Sequence, residues 1–453
     1  MQGTNFHVNV QQEGERRLIR VAGMTEAGEP LSRDYRLAAA EQQDYLDFYE
    51  CLAVDFGTRL PHNRRHGSAP DFDAAYHPLL TENLSPDILY GYGDPAMLRV
   101  GNFYYLFITS NDAPNAFPIL RSADLEQWEH IGFVFPEGGT PAWAATGAHV
   151  SDYWAPEVQP IGGSYLLCFA ARAHDGILKI GLATAPAPEG PYTPLEQPLI
   201  EGGAIDAHIF IDSDGTPLLL WKEDSNDLWP GLLVELLVER QEASARLFSS
   251  SPDMRTVAFM RALSPWVHSM APMERFFALQ PLIEAVTENF SNIWSLLRTS
   301  GEKRARAVAE AMRTPIFAQR LAPDGLTLEG ERHIVMVNDL AWEGHLIEGP
   351  WVAKQAGRYH LFYAGNDFST AEYGIGVAVA DNVSGPYRKM DQPLLRSTKD
   401  WAGPGHPSVA LDPSGAPRLF FHAFEPGRAG YKEFRALLSC GLIFSAEGVE
   451  LRP

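Results

Sequence analysis

The stretch GYGDPAMLRVGNFYYLFITS, residues Gly91–Ser110, shows a pattern that recurs along the chain. A small or polar cluster leads into a short apolar strand, a turn carries Gly101, and an aromatic-rich strand follows. A glycine between two β-rich runs predicts a hairpin, because such turns require backbone φ values that other residues disfavour. Four more segments have this pattern: Tyr153–Ala171, Ala204–Trp221, Leu346–Ala364 and Gly403–His422.

Further strands follow these hairpins. Residues 177–192 and 373–387 share a small-residue strand, an acidic turn and a Gly-Pro-Tyr ending, and residues 118–132 correspond to them in the first unit. Four strands per unit, repeated radially, are typical of a β-propeller. The sequence therefore predicts an all-β fold, with a five-bladed β-propeller over residues 86–453.

The spacing of the units locates an insertion. The units begin near residues 91, 153, 204, 346 and 403, so three intervals lie between 51 and 62 residues and one is 142. Residues 225–314 account for the excess, and their apolar positions recur at three- and four-residue spacing, as in amphipathic helices. This pattern predicts a helical insertion within blade 3. A packed decoration or a homo-oligomer contact is its favoured role, and a lid over the channel mouth is the alternative.

Residues 1–85 form a predicted α/β appendage and linker at the N-terminus. RRLIRVAG, residues 16–23, resembles a strand, and LAAAEQQDYLDFYECLAV, residues 37–54, resembles an amphipathic helix. The polar, proline-containing residues 62–86 predict a linking loop. No function follows from this region.

The composition narrows the functional classes. Lys and Arg total 36 and Asp and Glu total 57, which gives a net charge of −21. An acidic chain repels phosphate, so we expect neither nucleic-acid nor anionic-membrane binding. The sequence has no apolar run of the roughly 18 residues that a membrane-spanning helix needs. Its first residues lack a basic stretch followed by an apolar one, so we expect a cytoplasmic protein or one whose signal has been removed.

Titratable residues stand at the opening of the units: Asp94, Glu157, Asp206, Glu348 and His406. In a propeller the innermost strand of each blade lines the central channel, so these residues converge. Buried like charges are costly unless they are hydrated, paired or used. Asp94, Asp206 and Glu348 each stand just before an apolar strand, in blades 1, 3 and 4. We therefore expect them on different walls of one pocket.

Carboxylates on opposite walls of a pocket suit glycoside hydrolysis. One carboxyl group protonates the leaving oxygen while another activates water or attacks the sugar, and a third raises the pKa of the acid by repulsion. Aromatic rings around such a pocket stack on sugars. Each ring taken alone is more often ordinary propeller packing, but the set beside three carboxylates favours a sugar site. The rings are those of Tyr92, Trp154, Trp221, Trp351, Phe368 and Trp401.

Five motifs in order carry a family resemblance: GYGDPAMLRVGNFYYLF, YWAPEV, IDAHIFIDSDGTPLLLW, WEGHLIEGPWV and WAGPGHPSV. Together they resemble glycoside hydrolase family 43, the five-bladed propeller enzymes of arabinan and xylan breakdown, over about residues 85–425 apart from the insertion. The resemblance implies that Asp94 is the general base, Asp206 the pKa modulator and Glu348 the general acid of an inverting reaction. It also implies that His406 contacts a calcium or other ion in the channel, directly or through water. No organic cofactor is implied.

Other residues have open assignments. We expect Asn111 and Glu157 to contact the substrate, and for Glu157 hydrogen bonding to neighbouring blades is the alternative. His149, His208 and His345 either line the mouth or are structural histidines. The catalytic trio has structural alternatives too: Asp94 as a turn residue, Asp206 as a strand cap and Glu348 as the partner of an arginine.

The resemblance implies an enzyme that removes terminal pentose residues from oligosaccharides or glycosides, with α-L-arabinofuranose as the favoured sugar. A β-xylosidase of the same family is the first alternative. A non-catalytic carbohydrate-binding propeller is the second, and it is disfavoured because all three carboxylates are present. The N-terminal region and the helical insertion depart from the usual pattern of the family.

Overall fold

The computed structural model describes residues 5–14, 16–39, 41–65, 72–111, 114–147, 152–226 and 228–452. The chain is mostly β, and it divides into two compact units. The smaller unit consists of Met1–Ser68 and Ser225–Arg313, and the larger of Ala69–Asp224 and Thr314–Pro453. The prediction of a mostly β chain is confirmed, and the seven α-helices of the described residues lie at the two segments for which helices were predicted, residues 37–54 and 225–314.

The smaller unit contains one three-stranded antiparallel sheet and all seven of these helices. The strands are β1 (His7–Glu13), β2 (Arg16–Met24) and β3 (Pro30–Leu37), in that order. The helices are α1 (Gln42–Phe56), α2 (Leu228–Glu239), α3 (Gln241–Leu247), α4 (Ser251–Val267), α5 (Pro272–Thr287), α6 (Phe290–Arg298) and α7 (Lys303–Ala311). Within the described ranges, none of them combines the length and apolar character that crossing a membrane requires.

The predicted N-terminal appendage and the predicted insertion are parts of this one unit. Helix α4 contacts β1, and α5 contacts α1. The ring of Phe259 on α4 lies 5.8 Å from that of Phe6, 5.9 Å from that of Phe48 and 6.2 Å from that of Tyr49. A small sheet or a short helix alone buries too little apolar surface to be stable. The two segments were predicted as separate parts because they lie far apart in the chain.

Helix α1 has clear ends. A capping box joins Glu41 to Asp44 at its N-terminus. The helix ends at Gly57, whose φ of 65° reverses the chain while its N–H donates to Ala53 O. These local signals determine where α1 begins and ends.

The larger unit contains five antiparallel sheets, which follow one another in chain order. Sheet 1 is β5 (Ala96–Val100), β6 (Phe103–Phe107), β8 (Ala116–Ser122) and β9 (Trp128–Phe135). Sheet 2 is β10 (Asp152–Ile161), β11 (Ser164–Arg172), β12 (Leu178–Ala185) and β13 (Thr193–Pro194), with β7 (Ser110–Asn111) beside β10. Sheet 3 is β14 (Ala204–Ile211), β15 (Pro217–Glu223), β16 (Pro315–Leu321) and β17 (Leu328–Val337).

The last two sheets have the same up-and-down order. Sheet 4 is β18 (Ile347–Gln355), β19 (Arg358–Gly365), β20 (Gly374–Ala380) and β21 (Arg388–Lys389). Sheet 5 is β22 (Ala402–Leu411), β23 (Pro417–Phe424), β24 (Ala436–Phe444) and β25 (Val449–Leu451). Strand β4 (His77–Leu80) also pairs with β24. This part of the predicted linking loop therefore belongs to the last sheet.

The first strands of the sheets are neighbours. Strand β10 contacts β14, β14 contacts β18, β18 contacts β22, β22 contacts β5, and β5 contacts β10. The five segments with the repeated pattern supply the first hairpin of each sheet, β5–β6, β10–β11, β14–β15, β18–β19 and β22–β23. The helical insertion leaves the chain between β15 and β16 of sheet 3.

Candidate active site

One unusual backbone conformation recurs at the start of all five sheets. Near the beginning of each first strand, one residue has a positive φ between 46° and 58°. Non-glycine residues rarely adopt this region, and where they do the site is often functional. The pleat is broken at the same place in β10, β14, β18 and β22, where the pairing register shifts. The five residues are Asp94, Ala155, Asp206, Gly349 and His406.

The recurring conformation shows which residues of the five sheets are structurally equivalent, and it changes the correspondence that the sequence predicts for two of them. Asp94, Asp206 and His406 are structurally equivalent, as the sequence predicts. Glu348 precedes the equivalent position, Gly349, by one residue, and Glu157 follows its own by two. Successive residues of a strand point to opposite faces, so the offset of one residue separates the surroundings of Glu348 from those of the equivalent position.

The backbone N–H groups of three of these positive-φ residues donate to side chains of another sheet. Because the ladder is interrupted there, each N–H needs another acceptor. Three such bonds link adjacent sheets: Asp94 N–H to His422 Nδ1 at 3.1 Å, Ala155 N–H to Thr109 Oγ1 at 2.8 Å, and Gly349 N–H to Asp206 Oδ2 at 2.8 Å. The strained positions are therefore fixed by the same side chains that surround the acids.

Asp94 is a mostly buried carboxylate held by an arginine, a hydroxyl and two histidines. Thr109 Oγ1 donates to its Oδ2 at 2.5 Å, and Arg435 Nη1 donates to its Oδ1 at 3.0 Å. The Nδ1 atoms of His406 and His422 lie 3.6 and 3.5 Å from Oδ1. Burial alone would raise the pKa of Asp94, but Arg435, the two histidines and Thr109 together hold it well below its usual range. Asp94 is therefore ionised at neutral pH.

Asp206 and Glu348 have the opposite electrostatics. Burial and the charge of Asp94 raise the pKa of Asp206, against the opposing influence of Lys222 and of the N–H of Gly349. Burial also raises the pKa of Glu348, and the charge of Asp206 adds to this while Lys222 opposes it. Both carboxyl groups are more than nine-tenths buried, at 8% and 7% exposure. One or both of them hold a proton at a pH where exposed carboxyls are ionised.

Two side chains contact Glu348 directly. Tyr373 OH donates to its Oε1 at 2.7 Å, and Lys222 Nζ lies 3.8 Å from its Oε2. The ring of Tyr373 also stacks on His422, with centroids 6.2 Å apart. Since His422 accepts the N–H of Asp94, a chain of contacts runs from Glu348 to Asp94.

The structure thus brings Asp94, Asp206 and Glu348 into one electrostatic cluster, in which the charge of each affects the next. A carboxylate that is firmly ionised beside carboxyls that retain a proton is the combination that general acid and base catalysis requires.

The predicted sugar-stacking rings fall into two groups. Tyr92 and Trp221 are buried in apolar clusters. Tyr92 OH donates to Glu82 O at 2.7 Å, and Trp221 stacks on Phe317 with centroids 5.6 Å apart. This packing corrects the expectation for these two residues, because their rings are occupied as core side chains.

Three of the other rings are partly exposed, those of Trp154, Phe368 and Trp401. Trp351 is buried in an apolar cluster, with its ring 4.8 Å from that of His208, so its packing resembles that of Tyr92 and Trp221. The indole N–H of Trp154 donates to Asn111 Oδ1, so the predicted ligand residue Asn111 orients this ring.

Glu157 links three sheets. Its Oε2 lies 2.7 Å from His208 Nδ1, and Ile209 N–H donates to its Oε1 at 3.2 Å. His208 Nε2 accepts the N–H of Val352 at 2.9 Å, so Nδ1 carries the hydrogen and donates to Glu157. These bonds connect sheets 2, 3 and 4, in agreement with the inter-blade alternative for Glu157. His345 is fully buried, which lowers its pKa. His149 lies outside the described residues.

The side chains around His406 offer few of the ligands that the expected calcium ion requires. Calcium takes six to eight oxygen ligands, whereas His406 is a nitrogen ligand. Its Nδ1 lies 3.6 Å from Asp94 Oδ1, the oxygen that already accepts from the guanidinium group of Arg435. In the part of the chain that the structure describes, no group of three His, Cys, Asp or Glu side chains is placed to hold a metal ion. These side chains do not form a calcium site by themselves, and the ion stays a prediction.

Sequence reasoning missed five residues of this cluster: Thr109, Lys222, Tyr373, His422 and Arg435. Two glycines within the quoted motifs are signals for them. A Cβ at Gly93 would lie 1.8 Å from Arg435 Cζ, and a Cβ at Gly405 would lie 1.8 Å from Tyr373 Cε1. Each glycine therefore makes room for a side chain that reaches an acid.

Residues 85–245 and 295–448 match the family described as Glycosyl hydrolases family 43. Eighty residues are 39% identical to Xylosidase/arabinosidase 43A of Humicola insolens, covering 18% of this chain and 23% of that protein. Another 156 residues are 30% identical to an extracellular endo-alpha-(1->5)-L-arabinanase of Thermotoga petrophila, covering 31% of each. The matches span less than a third of the length of these curated relatives.

Solved structures agree on the fold. A thermostable family-43 glycoside hydrolase superposes with a TM-score of 0.57 at 24% identity, covering 80% of this chain and 93% of that one. Xylan beta-1,4-xylosidase from Bacillus halodurans C-125 gives a TM-score of 0.53 at 17% identity, covering 81% of this chain and 56% of that one. At these identities the likeness concerns the fold alone.

Proposed function

The chain belongs to glycoside hydrolase family 43, and from this premise we propose that it cleaves the glycosidic bond of a terminal pentose by general acid and base catalysis. The observation that carries the proposal is the pairing of an ionised Asp94 with two buried carboxyls, Asp206 and Glu348, whose pKa values are raised. Such a difference between neighbouring carboxyls separates the role of base from that of acid.

In this proposal the five sheets are the blades of a five-bladed propeller. The contacts between successive first strands support it, since they run from sheet to sheet and return from β22 to β5. The pairing of both β4 and β25 with β24 supports it too, because an N-terminal strand then completes the last blade. The acids would lie at the channel that the first strands line.

Asp94 is assigned as the general base. Its carboxylate stays ionised and accepts a proton from the water that attacks the anomeric carbon. Arg435 and Thr109 fix its two oxygens, so the orientation of the base is set before the substrate binds.

Glu348 is assigned as the general acid and Asp206 as the residue that keeps it protonated. Burial and the nearby charge of Asp206 keep the proton on Glu348 in the neutral pH range. Glu348 then delivers this proton to the leaving oxygen as the bond breaks. Asp206 is held by the N–H of Gly349, the residue that follows Glu348, so the two acids are coupled through the backbone as well.

The proposed stereochemical outcome is inversion. Inverting glycosidases leave room for a water between the two carboxyls, at a separation of roughly 6.5–9.5 Å. Proton NMR of the first product formed gives the anomeric configuration directly, and a retained configuration would contradict this part of the proposal.

The proposed sugar is α-L-arabinofuranose, with β-D-xylopyranose as the second candidate. The similar proteins are named for xylosidase, arabinosidase or arabinanase activities, so they support either xylose or arabinose as the sugar. A panel of nitrophenyl α-L-arabinofuranoside, β-D-xylopyranoside and β-D-galactopyranoside distinguishes these sugars from each other and from a hexose.

The test of the catalytic roles uses Asp94→Asn and Glu348→Gln. We expect both variants to remain folded and to lose turnover by about 10³–10⁴-fold, the usual contribution of a positioned acid or base. The loss in Glu348→Gln should shrink with leaving groups that need no protonation, such as dinitrophenol, whereas the loss in Asp94→Asn should not. Initial rates across a leaving-group series measure both effects.

Asp212→Asn is the matched control. Asp212 is a carboxylate of the turn after β14, where it binds Lys354 Nζ and Tyr359 OH. It should keep the wild-type rate. Wild-type rates in either catalytic variant would remove that residue from the mechanism, and no hydrolysis of any glycoside would favour the non-catalytic carbohydrate-binding alternative.

A further inference from the structure

A fully buried lysine lies among the acids of the cluster. Lys222 is on β15, directly beside the first strand of the same sheet, where its register partner is Ile205, the neighbour of Asp206. Its side chain is 0% exposed, and its Nζ lies 3.8 Å from Glu348 Oε2. Burying an ammonium group is costly unless nearby charges compensate for it, so its position demands an explanation.

In the described part of the chain, the cluster has two basic side chains, one for each part. Arg435 contacts Asp94, the ionised acid, whereas Lys222 lies beside Glu348 and acts on Asp206 as well. Three carboxyl groups of the site face these two side chains, those of Asp94, Asp206 and Glu348. Asp224 adds a further acidic influence on Asp206. Among the three, two negative charges match the two basic side chains when Asp94 and one member of the Asp206–Glu348 pair are ionised and the remaining member keeps its proton.

Other titratable groups face this pair and have to be counted. Each of them interacts electrostatically with Asp206, Glu348 or Lys222. They are Asp94, Asp224, His345, Tyr373 and His406. His406 and His345 have lowered pKa values because of burial, so neither adds a positive charge at neutral pH. Lys222 is thus the cation that lies closest to the acid pair among those described at the site.

We propose that Lys222 is a positioning residue whose buried ammonium group keeps the Asp206–Glu348 pair in a singly protonated state. Without it, both carboxyls would retain their protons, and the negative charge of Asp206 that acts on Glu348 would be absent. With it, one proton is shared and the acid can release it at neutral pH. This inference rests on the proposed function, because it assigns a purpose to the charge state of the proposed acid.

The first test compares the pH dependence of kcat/KM in the wild type, Lys222→Met and Lys222→Arg. Removal of an opposite charge at this distance raises a carboxyl pKa by about one to three units. We therefore expect the basic limb of the profile to move to higher pH by about that amount in Lys222→Met. Lys222→Arg keeps the charge, so its limb should stay near the wild-type position. An unmoved limb in a folded Lys222→Met would overturn the proposal.

Lys389→Met is the matched control. Lys389 is a mostly buried lysine of sheet 4 that pairs with Asp339 and Glu343, both at 2.7 Å. Its loss should lower stability but leave the pH profile in place. If Lys389→Met moves the limb as far as Lys222→Met does, the effect is a general result of removing a buried lysine, and the proposal fails.

A measurement on the wild-type protein decides the matter if Lys222→Met does not fold. With lysine carrying ¹³C at Cε, the resonance that disappears in Lys222→Arg belongs to Lys222. Its shift should show an inflection at the pH of the basic limb, because the neighbouring acid ionises there. No inflection between pH 5 and 9 overturns the proposal. This titration needs no substrate, so it stays informative even if no glycoside is hydrolysed and the proposed function fails.

Discussion

The two units bury ionic groups in opposite ways. In the smaller unit, Arg59 is 5% exposed and contacts Asp253 at 2.6 Å and Glu288, with Glu284 at 3.7 Å. In the larger unit, Asp94, Asp206 and Glu348 lie close enough to raise one another's cost of ionisation. The first arrangement surrounds a cation with acids, and the second gathers acids around too few cations.

The pKa directions differ within the smaller unit: burial raises the pKa of Glu284 against the opposing influence of His62 and Arg59, whereas the pKa of its neighbour Glu288 is lowered. Burial would raise the pKa of Glu288, but hydrogen bonds from His62, Arg59 and Arg65 hold it well below its usual range. In the larger unit, burial and like charge leave the pKa values of Asp206 and Glu348 raised. The ion pairs around Arg59 therefore offset part of the cost of burying acids in the helical unit, whereas the acids of the larger unit keep a proton that the proposed reaction would use.

The largest effect on stability is expected for Arg59→Met. Removing Arg59 leaves the buried Glu284 and the partly exposed Asp253 and Glu288 without this cation, and breaking a buried ion pair by removing one partner costs about 3–5 kcal/mol. Urea unfolding followed by circular dichroism at 222 nm measures the change, because the helices are concentrated in this unit.

Arg20→Met is the control for this prediction. Arg20 forms an exposed pair with Asp34 on the small sheet, and exposed pairs contribute little. Equal midpoints for Arg59→Met and Arg20→Met would show that the buried cluster does not support the unit.

A smaller effect with the opposite sign is expected for Glu348→Gln. The folded-state pKa of Glu348 is raised, so its favourable contribution is complete below the unfolded-state pKa and is lost as the pH rises through the folded-state pKa. Glutamine resembles the protonated form and avoids that loss. We expect the free energy of unfolding to rise by about 1–3 kcal/mol at pH 8 and to match the wild type at pH 4.

Denaturant titrations at the two pH values measure this difference, and Asp212→Asn serves again as the control carboxylate. A variant that is less stable than the wild type at pH 8 would mean that Glu348 stabilises the fold. The comparison between the units would then be lost.

The smallest effects come from a matched pair of tyrosines. Tyr49 OH in the smaller unit donates to Ala278 O, and Tyr373 OH in the larger unit donates to Glu348. Tyr49→Phe should lower stability by about 1 kcal/mol and leave the pH profile unchanged. Tyr373→Phe should move the basic limb of kcat/KM to higher pH, because the lost hydrogen bond had lowered the pKa of Glu348. Denaturant midpoints and pH–rate profiles of both variants check this contrast, and identical profiles would contradict it.

Much of the larger unit could be predicted because its signals are local. A glycine turn between two apolar runs specifies a hairpin, and the five hairpins of sheets 1 to 5 lie where the repeated pattern places them. The motif acids Asp94 and Asp206 follow from the same repeat. Glu348 does too, although it is displaced by one residue from the equivalent position, a shift that only the backbone conformation of Gly349 reveals.

Lys222, Tyr373 and Arg435 could not be predicted because they lie on second strands, after loops or before third strands, where no repeat marks them. The one local sign of Lys222 is a lysine that ends the apolar run LLLW. The pairing of the N-terminal segment with the insertion escaped prediction for a related reason. Complementary groups such as Arg17 and Glu274, 2.8 Å apart, are 257 positions apart in the chain, and no periodicity connects them.

This discontinuity affects how the protein is made. Residues 5–65 leave the ribosome about 160 residues ahead of α2, which at roughly 5–20 residues per second is a wait of roughly 8–32 s. During that time Phe6, Phe48 and Tyr49 lack the α4 ring that later covers them. The nascent chain therefore exposes the apolar side chains of an incomplete unit while the first sheets of the larger unit are being synthesised. A chaperone that binds this exposed segment should improve the yield of intact protein.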